Sequence, residues 1–449
     1  MKIKAILTAL ALVVAAPFAI ADGILGIDGE ESTSVGIYIK DLATGEAVID
    51  HNSQLALTPA SVMKAVTTAT ALSVNGADGR FSTKVALRGT KEGSTFRGDI
   101  VVHSVADPTL ESENFKANRG FCDSIAAALR RKGIKTVTGA IVVRQSLKDP
   151  GPLLQWEVED IAWPYGAGLY GFNYRDNTVT VYPNTGKITP AAPGLEICVN
   201  KIAEGGNNIV RGIDSNRLMV YTRNTADTKW GLSVSVPDPA AVFTAELSSK
   251  LSAAGISVGK KAVAPSAAET ALYTHRSPRY AEIMKSLMVR SDNLFAEGML
   301  RSVEPAATRK SAIKRECELW ASRGINTRYT IINDGSGLTR ANRLSAHFIG
   351  DVLSWMASSP LADTYTTFFP KVGKEGTVRG FLAKTSLTGK IALKTGSVSS
   401  VQCYAGYKFD DAGKPTHVIV ILVNGFFCPR KKVREAAENL LLDVFAPAD

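Results

Sequence analysis

Residues 57–72 read LTPASVMKAVTTATAL, and the rest of the chain is best read outward from this stretch. Pro59 ahead of an apolar, helix-compatible run marks a helix start near Ser61. Little polar surface interrupts the run to Leu72, so the helix is expected to be buried. Positions three apart share a helix face, which sets the Lys64 amine beside the Ser61 hydroxyl. A serine hydroxyl becomes a useful nucleophile only with a base within hydrogen-bond reach. A lysine taken out of water gives up its proton more readily and can be that base. The free N–H groups and positive dipole end of a helix start also suit a developing oxyanion.

Serine and lysine at this spacing carry little weight alone, since Ser257–Lys260 and Ser311–Lys314 match as well. Ser73–Asn75 and Ser112–Asn114 likewise share the Ser-x-Asn pattern of Ser291–Asn293. A surface or capping serine is the ordinary explanation of any one match, and context separates them. Ser257 precedes Gly259 in a Gly/Ser-rich loop, and Ser311 lies in a charged helix with Lys310 and Arg315. Ser61 opens an apolar helix after a proline, Ser291-Asp292-Asn293 breaks a strong helical pattern with a polar turn, and Lys394-Thr395-Gly396 ends an apolar strand-like run.

In the order SxxK, SDN, KTG, these three segments resemble the signature of penicillin-binding proteins and serine β-lactamases. Ser61 and Ser291 stand 230 residues apart, which leaves room for a large insertion. That layout resembles the S13 family, the D-alanyl-D-alanine carboxypeptidase/endopeptidases among the low-molecular-mass class C penicillin-binding proteins. Asn333-Asp334-Gly335-Ser336-Gly337-Leu338 with Arg340, Asn342 and Arg343 is similar to the family's DGSGLSR-type segment. Gly376-Thr377-Val378 with Arg379 is similar to its GTL segment, and His103 to Leu110 to its GGGDPTL segment with the glycines missing.

The resemblance implies a mixed α/β (α+β) fold: a transpeptidase-like domain with an antiparallel sheet flanked by helices, carrying a β-rich insertion between SxxK and SDN. The residues agree. Residues 34–49 read as a hairpin about Thr44-Gly45. From about 80 to 265, alternating runs such as KVALRGT, GDIVVHSV, NTVTVYPN and NRLMVYTRN recur between Gly, Asn, Asp and Pro turns, with one helical stretch at 121–132. Helical patterns return at 280–300, 311–322 and 344–357; IALKTGS, VQCYAGYKFD and THVIVILVNG then alternate before a helix at 433–445. The expected organisation is a catalytic domain of 22–84 with 265–449 and an insertion of 85–264, in one or two subdomains.

Lys2 and Lys4, an apolar run from Ala5 to Ile20, and Ala19-Ile20-Ala21 predict an export signal cleaved after Ala21. Its loss takes the formal charge from +10 to +8. Export argues against nucleic acid as the partner of this basic surface and favours an anionic envelope polymer or membrane surface, with plain solubility as the simple alternative. The five histidines show no HExxH spacing, and the five cysteines contain no CxxC pair, so no metal site is expected. Cys403 and Cys428, on successive apolar runs, are the best candidate disulfide pair.

The resemblance further implies that Ser61 attacks the penultimate D-Ala carbonyl of a peptidoglycan stem peptide and that water hydrolyses the acyl-enzyme. Lys64 is the implied base, with Lys394 as a second cation lowering its basicity; Ser291 bridges Lys64 to the leaving amine; Asn293 binds the substrate backbone. Thr395, Gly396 and Ser397 bind the substrate end, Thr395 and Ser397 meeting the terminal carboxylate with Lys394. The N–H groups of Ser61 and Ser397 form the oxyanion hole. Asp160 recognises an amino group on the stem peptide or is a solvated surface carboxylate. β-Lactams are the implied covalent inhibitors, no cofactor is implied, and the periplasm is the implied location, compatible with peripheral membrane association and a homodimer. A β-lactamase-like hydrolase and a silent wall-binding protein are the competing readings.

Overall fold

The computed structural model describes residues 23–263 and 268–446; the predicted export signal lies outside them. Five strands form an antiparallel sheet in the order Ile391–Val398, Val401–Phe409, Pro415–Asn424, Ser34–Asp41, Ala47–His51. The first and last segments of the chain thus share one sheet, and the expected hairpin is its edge. Side chains alternate across the pleat. Ala392, Cys403, Ala405 and Tyr407 face a core shared with the helices Met63–Asn75, Tyr280–Arg290, Asn293–Ser302 and Ala346–Ser358. Ile391, Leu393 and Tyr404 face the opposite way, onto the helix Arg430–Phe445 and the 372–387 segment.

This two-sided arrangement overturns the expected Cys403–Cys428 disulfide. Cys403 packs in the first core and Cys428 in the second, and all five cysteines are free. Cys403 points from the strand Val401–Phe409 into the first core, whereas Cys428 lies beyond the end of the strand Pro415–Asn424, in the turn that leads to the helix Arg430–Phe445 on the opposite face.

A second core lies between the SxxK and SDN segments. Its six-stranded sheet includes Ser82–Glu92, Thr95–Ser104 and Glu269–Arg276, so the strands entering and leaving this region pair directly. Two three-stranded sheets and the helix Phe121–Arg131 accompany it. A second helix, Pro239–Ala253, stands where sequence reading found only strands and turns. Its signals are local: Asp238 caps it by accepting from Ala241 N at 3.0 Å, Pro239 follows, and Phe243, Leu247 and Leu251 recur at helical spacing and are buried.

Candidate active site

Ser61 sits in a short 3-10 turn, Ala60–Val62, that runs into the buried helix Met63–Asn75. Ala60 has φ 46°, a left-handed conformation unusual for a residue with a Cβ. Backbone from two distant segments presses on this turn. A Cβ at Gly396 would stand 2.5 Å from Pro59 O and 3.0 Å from Ser61 N, and one at Gly337, whose φ is +75°, would collide with Ala60 O. Glycine at both places lets the KTG strand and the 334–337 turn close on Ser61.

Lys64 is fully buried, and its Nζ donates to Ser61 Oγ at 3.0 Å, to Asn293 Oδ1 at 2.6 Å and to the Ser336 carbonyl at 2.6 Å. Burial lowers its pKa to about 8, against an opposing pull from Asp334, Asp292 and Glu297. The SDN segment separates the helices Tyr280–Arg290 and Asn293–Ser302. Asp292 caps the second by accepting from Phe295 N at 2.9 Å, a structural duty as expected of a turn residue. Ser291, at φ 60°, turns the chain and accepts from Lys394 Nζ at 2.9 Å. Lys394 is fully buried and also donates to Thr395 O at 2.6 Å.

Two expected relations differ from this geometry. Among the described residues, Ser291 is tied to Lys394 and makes no hydrogen bond to Lys64. The lowering of Lys64 comes from burial; Lys394 is itself held well below its ordinary range by burial first and by the Lys64 charge second.

A family model described as D-Ala-D-Ala carboxypeptidase 3 (S13) matches residues 22–443. The chain belongs to the S13 family. Membership makes it a serine-type peptidase of the D-Ala-D-Ala carboxypeptidase class. A D-alanyl-D-alanine carboxypeptidase from an Actinomadura species is 28% identical over 425 residues, covering 86% of this chain and 77% of that protein. The D-alanyl-D-alanine carboxypeptidase DacB of Haemophilus influenzae is 24% identical, covering 88% and 86%. The solved structure of penicillin binding protein 4 from H. influenzae shares the fold with a TM-score of 0.79 at 23% identity, over 92% of this chain and 97% of that one.

Around these residues the S13 chain forms a cleft of about 470 Å³, lined by Ser61, Ser291, Asn293, Ser397, Asp160 and Tyr165 among others. Thr395 Oγ1 donates to Thr377 Oγ1 at 2.7 Å, which brings the GTL-like segment to the KTG strand. Ser397 Oγ donates to Gln402 Oε1 at 3.0 Å, and Arg430 holds the same oxygen at 3.1 Å. Asp160 faces the cleft and accepts from the Tyr165 hydroxyl at 2.9 Å. The degraded GGGDPTL-like segment lies elsewhere: Asp107 accepts from Thr109 N, and the Pro108 ring packs at Gly298 of the SDN helix.

Sequence reading missed several contributors. The Ser336 carbonyl is one, taking a Lys64 hydrogen bond. Tyr165 is another: its carbonyl accepts from Asn293 Nδ2 at 2.8 Å, which fixes the amide with its oxygen toward Lys64. Glu159 and Arg340 complete the outer rim, paired at 3.9 Å. The run Glu157–Asp160 next to Trp163-Pro164-Tyr165 carried a composition signal for this rim; a backbone carbonyl carries none.

Proposed function

We propose that this protein hydrolyses D-Ala-D-Ala termini and cross-links of peptidoglycan stem peptides through an acyl-enzyme on Ser61. The observation that carries this reading is the hydrogen-bond set at Lys64 Nζ. As an ammonium, its three N–H groups meet Ser61 Oγ, Asn293 Oδ1 and Ser336 O. As a neutral amine it has two N–H groups and one lone pair. The two acceptors at 2.6 Å hold those N–H groups, and the lone pair faces Ser61 Oγ at 3.0 Å. A pKa lowered to about 8 makes that neutral form accessible near neutral pH.

Ser61 Oγ–H gives its proton to Lys64 as the oxygen attacks the carbonyl of the penultimate D-Ala. The Ser61 and Ser397 N–H groups stabilise the oxyanion. The amide C–N bond then breaks as the leaving amine takes a proton from Ser291, which draws one from Lys394, its hydrogen-bond partner; the proton held by Lys64 restores Lys394, and water hydrolyses the ester. Lys394, Thr395, Gly396 and Ser397 receive the substrate carboxylate, Asn293 its backbone, and Asp160 an amino group on the stem peptide. β-Lactams acylate the same serine. Catalysis belongs to residues 22–84 with 265–449, and the segment 85–264 shapes the acidic rim. Cleavage of an export signal after Ala21 and work in the periplasm complete the proposal. The basic and apolar N-terminus and a family match that starts at residue 22 support export.

The test is intact mass after incubation with penicillin, together with D-Ala release from a pentapeptide. A stable adduct on Ser61, and loss of both activities in Ser61→Ala, is the expected result. Rapid turnover without adduct would favour a β-lactamase. A folded protein with neither adduct nor turnover would make it a silent wall-binding protein.

A further inference from the structure

Four charged groups act on or with Lys64: Asp292 and Glu297 from the SDN turn and its helix, Asp334 from the 334–337 turn, and Lys394 from the KTG strand. Asp292 caps a helix. Glu297 has no such local duty. It is fully buried, and its Oε1 accepts from Gly335 N at 3.0 Å and Ser336 N at 2.9 Å. The carbonyl of that same Ser336 takes the Lys64 hydrogen bond. Thr67 Oγ1 holds the Gly335 carbonyl at 2.8 Å. Asp334 closes the turn, accepting from Gly337 N at 2.8 Å and from the buried Trp156 indole N–H at 2.9 Å. With the Gly335, Ser336 and Gly337 N–H groups and the Gly335 carbonyl engaged, this turn offers Ser336 O in one position.

We propose that Glu297 is a positioning residue for Lys64: it clamps the Gly335–Ser336 backbone so that Ser336 O takes one amine hydrogen and the lone pair faces Ser61. When ionised, its carboxylate also favours the protonated amine. This rests on Lys64 being the acylation base. Burial alone draws the amine down, and Glu297 is among the groups that pull it back. Burial and then the charge of Asp334 raise the Glu297 carboxyl above its ordinary range, and Arg309 Nε, 3.4 Å from Oε2, opposes them in favour of the charged form.

Glu297→Gln keeps an oxygen for both N–H groups and removes the charge; Glu297→Ala removes both. The rate of penicillin acylation is measured against pH for each, with Lys64→Ala as a control. In Glu297→Gln the acid limb of the profile is expected to move down by about one pH unit, because loss of a nearby negative charge favours the neutral amine. In Glu297→Ala the plateau rate is expected to fall by about 100-fold as the carbonyl shifts. A Glu297→Gln limb that coincides with that of the wild type, while Lys64→Ala is inactive, overturns the proposal. An unchanged plateau in Glu297→Ala does so too. Lys64→Ala acylated at the wild-type rate would instead overturn the reading of Lys64 as base. Should neither Glu297 variant fold, Thr67→Val loosens the same peptide from the other side. A plateau about tenfold lower then supports the clamp, and an unchanged one counts against it.

Discussion

On one wall of the cleft, Lys64 and Lys394 are fully buried and their nitrogens are held by named oxygens. On the other wall, Tyr165 is 49% exposed, and Glu159 and Asp160 stand in or near water with Arg340 close by. The difference assigns work. Burial changes how tightly a lysine holds its proton, so the dry wall can supply a base. A carboxylate in water keeps its charge and exchanges partners at low cost, which suits recognition of an incoming cation. The two walls meet at Asn293, whose amide binds Lys64 through oxygen and the Tyr165 carbonyl through nitrogen.

Substitutions on the two walls should therefore differ in size and in kind. The largest effect is expected at Gly396, where an added Cβ meets Pro59 O at 2.5 Å. Gly396→Ala should slow penicillin acylation by about 100-fold, since backbone has to shift at Ser61, the proposed nucleophile. A stopped-flow or gel-based acylation rate near that of the wild type would show that the turn is looser than the contact implies.

The next effect is on pH. Lys64 must be neutral to accept the Ser61 proton, so acylation should fall as pH drops below about 8, its lowered value. Each further unit down should cost about tenfold, because the neutral fraction drops by that factor. A flat profile from pH 6 to 9 would move the base elsewhere.

The smallest effect belongs to the wet wall. Asp160→Asn keeps an acceptor for the Tyr165 hydroxyl and removes the charge. It should raise KM for a substrate with a free stem-peptide amine by about two- to five-fold, the size of an exposed ion pair. It should leave kcat and penicillin acylation unchanged. An equal loss with an amine-blocked substrate would return Asp160 to the status of a solvated surface carboxylate.

Much of this site is written in local sequence. Ser61 and Lys64 share a helix face because they stand three positions apart, and Pro59 announces where that helix begins. The Ser291–Asn293 turn is visible as a polar break in an apolar period, and the KTG strand as the end of a buried run. Less visible were contacts that depend on which face of the sheet a residue meets. Cys403 and Cys428 looked like partners along the chain and lie in different cores. The Pro239–Ala253 helix was passed over because its surroundings alternate like strands, although its cap and its spacing were present.

The proposed nucleophile, the amine beside it, the order of the three motifs and the family they mark can all be read from the sequence. Each of these depends on residue type and near spacing, which the chain states directly. Only the tertiary structure decided what the Lys64 amine touches. Two of its three acceptors come from far along the chain: Asn293 Oδ1, and the Ser336 carbonyl 272 residues away. A carbonyl is present at every residue, so sequence cannot single one out. Burial, glycine close approach and the Glu297 clamp select this one, and they exist only when the helices, the turn and the sheet have packed together.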